Sequence, residues 1–197
     1  DSGRLARIND TIARNYVETG AIPGSLALIW RGNELVWSGM SGSIDLIRGV
    51  AMREDAIFRI YSMTKPITAV ALLMLMEEGL VALDDPVSRY VPGFAGIGVY
   101  TGGSEGAFDR RPAARQMKVI DLLRHTSGLT YGFLQRTPVD AAYRKAMLAE
   151  ANQPGGLPAM LAALEKLPLE FSPGERWNYS VSLDVLGALI EIVSGMT

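Results

Sequence analysis

Apolar Leu5, Ile8, Ile12 and Tyr16 recur at helical spacing, with Arg4, Arg7, Asp10, Arg14 and Glu18 off that stripe. The pattern predicts an amphipathic helix over residues 4–19, closed by Gly20 and packed on a sheet. The period then changes. Residues 25–30 and 34–39 are strand-like runs flanking Arg31-Gly32-Asn33, which predicts a β-hairpin with glycine and asparagine in its turn. Residues 56–61 read as another strand of the same antiparallel sheet. The apolar run 67–76 follows Pro66 and ends in Glu77-Glu78-Gly79; it is too short to span a bilayer and predicts a core helix over residues 66–78.

Beyond that helix, residues 83–87 read as a loop entering a short helix, and Pro92-Gly93 marks a turn. Residues 93–116 are rich in glycine and turn formers and read as a surface excursion; a phosphate-cradling loop would need a following Gly-Lys-Ser/Thr, which this stretch lacks. Short helices are predicted at 119–124, 141–151 and 157–167, the last two separated by Gln153-Pro154-Gly155-Gly156. Ser172-Pro173-Gly174-Glu175 is a turn, and an apolar helix covers 183–193. The organisation expected is a helix with sheet strands over 1–65, a mainly helical subdomain over 66–180, and a helix over 181–197 leading back to the first part.

With 197 residues, 48% of them apolar, the chain can bury a substantial core. A net charge of −2 gives no reason to expect nucleic acid or an anionic membrane as partner. There is no cysteine, hence no disulfide framework or thiolate metal site, and a single histidine argues against histidine-rich metal centres. The first residues, Asp1-Ser2-Gly3-Arg4, carry neither an initiator methionine nor a signal-peptide apolar region, so the numbering is expected to follow a removed segment or start inside a longer chain.

The candidate chemistry begins at Ser62-Met63-Thr64-Lys65. A serine and a lysine three positions apart, in a turn opening a buried helix, share one face. A serine hydroxyl needs a base before it can attack a carbonyl, and Lys65 is the nearest candidate if apolar surroundings lower its pKa. The positive end of the following helix would favour negative charge beside Ser62. The plain alternative is a chance pairing, since such short spacings recur by accident. His125, the one histidine, reads as a hydrogen-bonded helix-terminal residue, with a serine triad as its sharper alternative. Tyr179 stands at a second turn-to-helix corner, where it is either amphipathic core filling or a phenol able to pass a proton to a leaving group.

Taken in order, Ser62-Met63-Thr64-Lys65, the stretch Leu122-Leu123-Arg124-His125-Thr126-Ser127-Gly128-Leu129 and Tyr179-Ser180-Val181 resemble the serine β-lactamase and penicillin-binding-protein superfamily. Within it the chain looks most like the family VIII carboxylesterases related to class C β-lactamases. The resemblance implies an α/β (α+β) fold of the β-lactamase/transpeptidase type, an antiparallel sheet flanked by helices plus a helical subdomain. It also implies Ser62 as acyl-forming nucleophile, Lys65 as its general base, and Tyr179 as proton relay and activator of the deacylating water. The Ser62 backbone N–H would be one oxyanion donor. Valine at 181 replaces the asparagine that class C β-lactamases carry there, which favours simple esters over lactams. No third motif is visible and only about three strands are counted, so the chain is expected to be the N-terminal portion of a longer enzyme, the rest of the sheet lying on another chain or in a further segment. The expectation is thus a cofactor-free hydrolase of short-chain carboxylic esters, with a small-molecule ester as partner. The rivals are a β-lactamase, D-alanyl carboxypeptidase or acyltransferase on the same site, and a non-catalytic penicillin-recognising module. A cytoplasmic location is the starting expectation, periplasmic or secreted if a signal peptide has been removed.

Overall fold

The computed structural model describes residues 2–148 and 154–196. They fall into two compact units that divide after Ile60. In the first unit, helix α1 (Ser2–Ile12) continues into a π-helical turn at Ala13–Val17. Leu5, Ile8 and Ile12 are half-buried as the periodicity predicts, whereas Tyr16 is 51% exposed and Val17 takes its place facing inward. The wider π turn adds a residue and rotates the stripe, which ordinary helical counting cannot anticipate.

Strands β1 (Gly24–Arg31) and β2 (Glu34–Asp45) pair antiparallel. Gly32 and Asn33 join them with φ of +58° and +66°, the conformation a two-residue hairpin turn requires. The third strand is not residues 56–61. A short β3 (Val50–Ala51) pairs with β2 instead, giving the order β1-β2-β3. Residues 56–60 are extended without strand pairing, and Ile57 is 97% exposed. Their composition suits a strand, but among the described residues no strand pairs with them, Ala56 N–H bonding only locally to the Arg53 carbonyl, and a strand exists only through its partner.

The second unit opens with a 3-10 turn, Tyr61–Met63, that runs into α2 (Thr64–Glu77). The helix starts two residues before Pro66, so the proline occupies the first turn, where its missing N–H costs nothing. The stretch read as a surface excursion holds a hairpin, β4 (Val99–Ser104) with β5 (Ala107–Arg111). Val99 is buried, and β4 is tied down by Tyr100 N–H donating to the Leu169 carbonyl and Leu169 N–H to that of Gly98. Its glycines mask the strand signal in the sequence. The unit continues with α3 (Val119–Leu123), α4 (Pro138–Lys145), α5 (Gly156–Leu164) and α6 (Ser182–Ser194). Helix α4 starts three residues earlier than expected because Thr137 caps it, its hydroxyl accepting from Asp140 N–H. It ends at Lys145, and the expected continuation over 149–151 lies outside the described residues.

Helix α6 is the centre of this unit, touching α2, α3 and α5. Leu72, Leu122, Tyr143, Leu164, Leu186 and Leu189 are essentially fully buried in its core. Each large apolar side chain so buried contributes about 1.5–3 kcal/mol. That packing fixes the start of α6, and with it the Tyr179 corner, against the start of α2.

Candidate active site

Ser62 sits in the 3-10 turn immediately before α2, and Lys65 is in the first helical turn, half-buried. Tyr61, just before the serine, has φ +46°, a left-handed conformation that an aromatic residue rarely adopts. The turn displays the serine hydroxyl at a corner instead of burying it along a helix face.

The opposite wall comes from two loops zipped together. After α3, His125 and Gly128 take φ of +56° and +87° and turn the chain back. At Gly128 a Cβ would lie 2.3 Å from the Phe171 carbonyl oxygen, so only glycine fits. Backbone bonds then run Glu170 N–H to Gly128 O, Gly174 N–H to Thr126 O, Asn178 N–H to His125 O and Val181 N–H to Thr130 O. Asp121 anchors the base of this loop through a bidentate pair with Arg115 at 2.6 and 2.8 Å and a bond from the Thr126 hydroxyl. Burial pushes the Asp121 carboxyl up, and the Arg115 bonds outweigh it, leaving its pKa below the ordinary value.

The result brings Tyr179 to the serine. Ser62 Oγ is 2.6 Å from Tyr179 Oη, and Lys65 Nζ is 3.4 Å from Ser62 Oγ. The Lys65 ammonium also lies 4.9 Å from the Tyr179 ring centre and 5.4 Å from that of Tyr131. All three residues singled out in the sequence therefore meet. They line an open cavity of about 360 Å³ together with Tyr131, Phe133 and Asp184.

The electrostatics differ from what desolvation alone predicts. Burial does push the Lys65 pKa down, but interactions with the Tyr179 and Tyr131 hydroxyls outweigh it and leave it raised. Tyr179 moves the other way: burial raises it, the bonds to Lys65 and Ser62 outweigh that, and its pKa falls below the usual phenol value. The proton that the pair shares is thus drawn toward the lysine and away from the phenol.

Two residues of the cavity escape the sequence reading. Tyr131 is buried and stacked on Phe133, with ring centres 4.9 Å apart. Its hydroxyl donates to Asp184 Oδ2 at 3.3 Å, and burial, then the Asp184 charge, push its pKa up to about 12. Asp184 is in the first turn of α6; burial raises its pKa, and the opposing Lys65 charge does not fully cancel that. An acid in a helical first turn five residues after Tyr179 is the signal that could have found it. Val181 is fully buried in the core and presents nothing to the cavity. His125 is not hydrogen-bonded to Ser62; its Nδ1 lies 3.2 Å from Ser180 Oγ and its ring centre 4.9 Å from that of Tyr179. Among the described residues no group of three or more His, Asp or Glu side chains has the geometry to hold a metal ion.

A serine and a lysine at a strained helix entrance, met by a tyrosine at a second helix entrance, place the chain among the serine β-lactamase-like folds. The chain belongs to the Beta-lactamase family, whose profile matches residues 9–197. It is 38% identical over 183 residues to Protein Rv1367c of Mycobacterium tuberculosis (strain ATCC 25618 / H37Rv), covering 92% of this chain and 44% of that one. It is 34% identical over 197 residues to Esterase EstB of Burkholderia gladioli, covering 99% of this chain and 47% of that one. The solved structure of EstCE1, a hydrolase with promiscuous acyltransferase activity, superposes with a TM-score of 0.79 at 29% identity, covering 98% of this chain and 48% of that chain. The fold is therefore β-lactamase/transpeptidase-like, antiparallel sheets with helices. The chain spans a little under half the length of these relatives.

Proposed function

We propose that the chain carries the nucleophilic part of a serine carboxylesterase that cleaves short-chain carboxylic esters through an acyl-Ser62 intermediate. The observation that supports this best is the single oxygen, Ser62 Oγ, lying 2.6 Å from the Tyr179 phenol and 3.4 Å from the Lys65 ammonium. In this reading Tyr179, whose pKa the bonds to Lys65 and Ser62 draw down, is the base, and the charge on Lys65 beside it favours loss of the phenol proton; this exchanges the roles that desolvation of Lys65 alone would give.

In acylation, Ser62 Oγ attacks the ester carbonyl carbon as its proton passes to Tyr179 Oη. Negative charge develops on the carbonyl oxygen, where the Ser62 backbone N–H and the α2 dipole favour it. The tetrahedral intermediate collapses with cleavage of the bond to the leaving alkoxy oxygen, which takes the proton from Tyr179. In deacylation, Tyr179 removes a proton from water, the hydroxide oxygen attacks the acyl carbon, and the serine oxygen leaves with the proton returned by Tyr179. A second oxyanion donor is proposed to come from outside these residues, in the further part of a longer protein.

The cavity supports neutral ester substrates. Tyr61, Tyr131, Phe133, Tyr179 and Leu183 make half of its lining, and Lys65 and Asp184, of opposite sign, are its two ionisable groups besides the tyrosines. An alcohol could replace water as acceptor of the acyl group, a reading favoured by the likeness to EstCE1, a hydrolase with promiscuous acyltransferase activity. The test is turnover of p-nitrophenyl butyrate against nitrocefin by the full-length enzyme, with mass spectrometry after a serine-directed phosphonate. Faster ester turnover and an adduct on Ser62 are expected. Faster nitrocefin turnover would reverse the substrate assignment, and absence of an adduct would leave a non-catalytic module. Ester formation on adding a primary alcohol would mark acyl transfer.

A further inference from the structure

Behind Tyr179 lie three serines, Ser127, Ser180 and Ser182, with no solvent exposure. Their hydroxyls form a chain ending on the histidine: Ser127 Oγ is 2.8 Å from Ser182 Oγ, Ser182 Oγ is 2.7 Å from Ser180 Oγ, and Ser180 Oγ is 3.2 Å from His125 Nδ1. We propose that His125 is a positioning residue for Tyr179, held as a neutral imidazole with its proton on Nε2 by this one-way hydroxyl chain. The inference rests on the reading of Tyr179 as base.

A backbone amide can only donate, and one fixes the imidazole end of the chain; at the other end the Ser127 proton has Ser182 Oγ as its acceptor among the described residues. Leu129 N–H donates to Ser127 Oγ at 3.1 Å, and Ser180 N–H donates to His125 Nδ1 at 3.3 Å. Nδ1 is therefore an acceptor, and the neutral ring carries its proton on Nε2. Ser127 then donates to Ser182, Ser182 to Ser180, and Ser180 to the imidazole. Protonating Nδ1 would point a new N–H at the Ser180 amide and reverse every hydroxyl. Among the described residues the Ser127 proton would then lack an acceptor, a costly state for a buried donor. The charged groups around the ring agree. Burial and the Lys65 charge both oppose a second cation there, Asp121 is tied to Arg115, and Asp184 accepts from Tyr131.

The consequence falls on Tyr179. The imidazole packs against its ring at 4.9 Å and 47°, held there by the left-handed backbone of His125, and Trp177 closes the edge at 6.2 Å. A cationic imidazole would further depress the phenol pKa and so weaken it as a base. A neutral one seats the ring and leaves its basicity to Lys65.

Two-bond proton–nitrogen NMR on the 15N-labelled full-length enzyme reads the tautomer, with His125 assigned through its backbone. The expected result is an unprotonated Nδ1, a protonated Nε2 and a titration midpoint below the ordinary histidine value of 6.5. A proton on Nδ1, or a midpoint at or above about 6.5, would overturn the proposal. His125→Asn tolerates the left-handed backbone and can set its amide oxygen where Nδ1 accepts, but it lacks the ring. In that variant kcat should fall about tenfold or more with KM within about twofold, the signature of a misplaced base. A lower melting temperature with unchanged kcat would reduce His125 to a structural role. Should His125→Asn fail to fold, the wild-type tautomer and titration still decide. They need no substrate, so failure of the esterase reading would show separately as absent ester turnover.

Discussion

Replacing Tyr179 by phenylalanine tests the division of labour between the phenol and the lysine. The ring should stay in place, because its contacts with His125 at 4.9 Å and Tyr131 at 5.2 Å do not involve the hydroxyl. Folding stability should therefore change by no more than about 1 kcal/mol, the net worth of one part-exposed hydrogen bond. Catalysis should change far more. Loss of a positioned general base typically costs about 10²–10⁴ in rate, or roughly 3–5 kcal/mol in the barrier. The pH profile of kcat/KM for p-nitrophenyl butyrate adds a second reading. In the wild type it should rise as Tyr179 deprotonates, at a pH below the ordinary phenol value of 10.0, and fall only as Lys65 loses its proton above 10.5. With the phenol gone, Lys65 loses its main stabilising partner, so residual activity should follow a lysine whose pKa has fallen. A Tyr179→Phe enzyme within about threefold of wild type, with the same acid limb, would refute the assignment and return the base to Lys65.

Asp184→Asn should move the acid limb of kcat/KM to lower pH, because the Asp184 charge is one of the influences that raise Tyr179; a pH–rate profile checks it. Asp121→Asn should cost about 2 kcal/mol in urea unfolding, since it removes two charge-assisted bonds to an Arg115 that is 40% exposed. The Asp121 carboxyl has a depressed folded pKa, so its contribution is present above the ordinary value of 3.8 and is lost as pH falls through the lower folded value. Gly128→Ala should destabilise by more than about 2 kcal/mol, because the new Cβ meets the Phe171 carbonyl and the backbone is left-handed; thermal unfolding reads it.

Much of the site is legible in the sequence because its parts are local. Ser62 and Lys65 lie in one turn, and the apolar run behind them announces the helix that displays them. Tyr179 is legible for a similar reason, as a turn precedes it and an apolar helix follows. What sequence pattern misses is set by contacts between distant segments. Residues 56–60 have strand composition and no strand partner among the described residues, while glycine-rich 99–104 pairs with 107–111 in a hairpin whose start is tied to distant Leu169. Tyr131 and Asp184 are 53 residues apart and become one hydrogen-bonded pair only when α6 packs behind the loop that carries Tyr131.

The same distinction bears on Lys65. Apolar neighbours along one helix suggest desolvation, which acts on the lysine in the expected direction. The opposing effect comes from two phenols delivered by loops 66 and 114 residues further on, invisible to any local window. Once they arrive, the Tyr179 and Tyr131 hydroxyls raise the pKa of the lysine, and the lysine and Ser62 lower that of Tyr179. That reciprocity makes the contact between the two helix entrances, and not the Ser-x-x-Lys spacing alone, the feature that sets this Ser-x-x-Lys apart from a chance occurrence of the pattern.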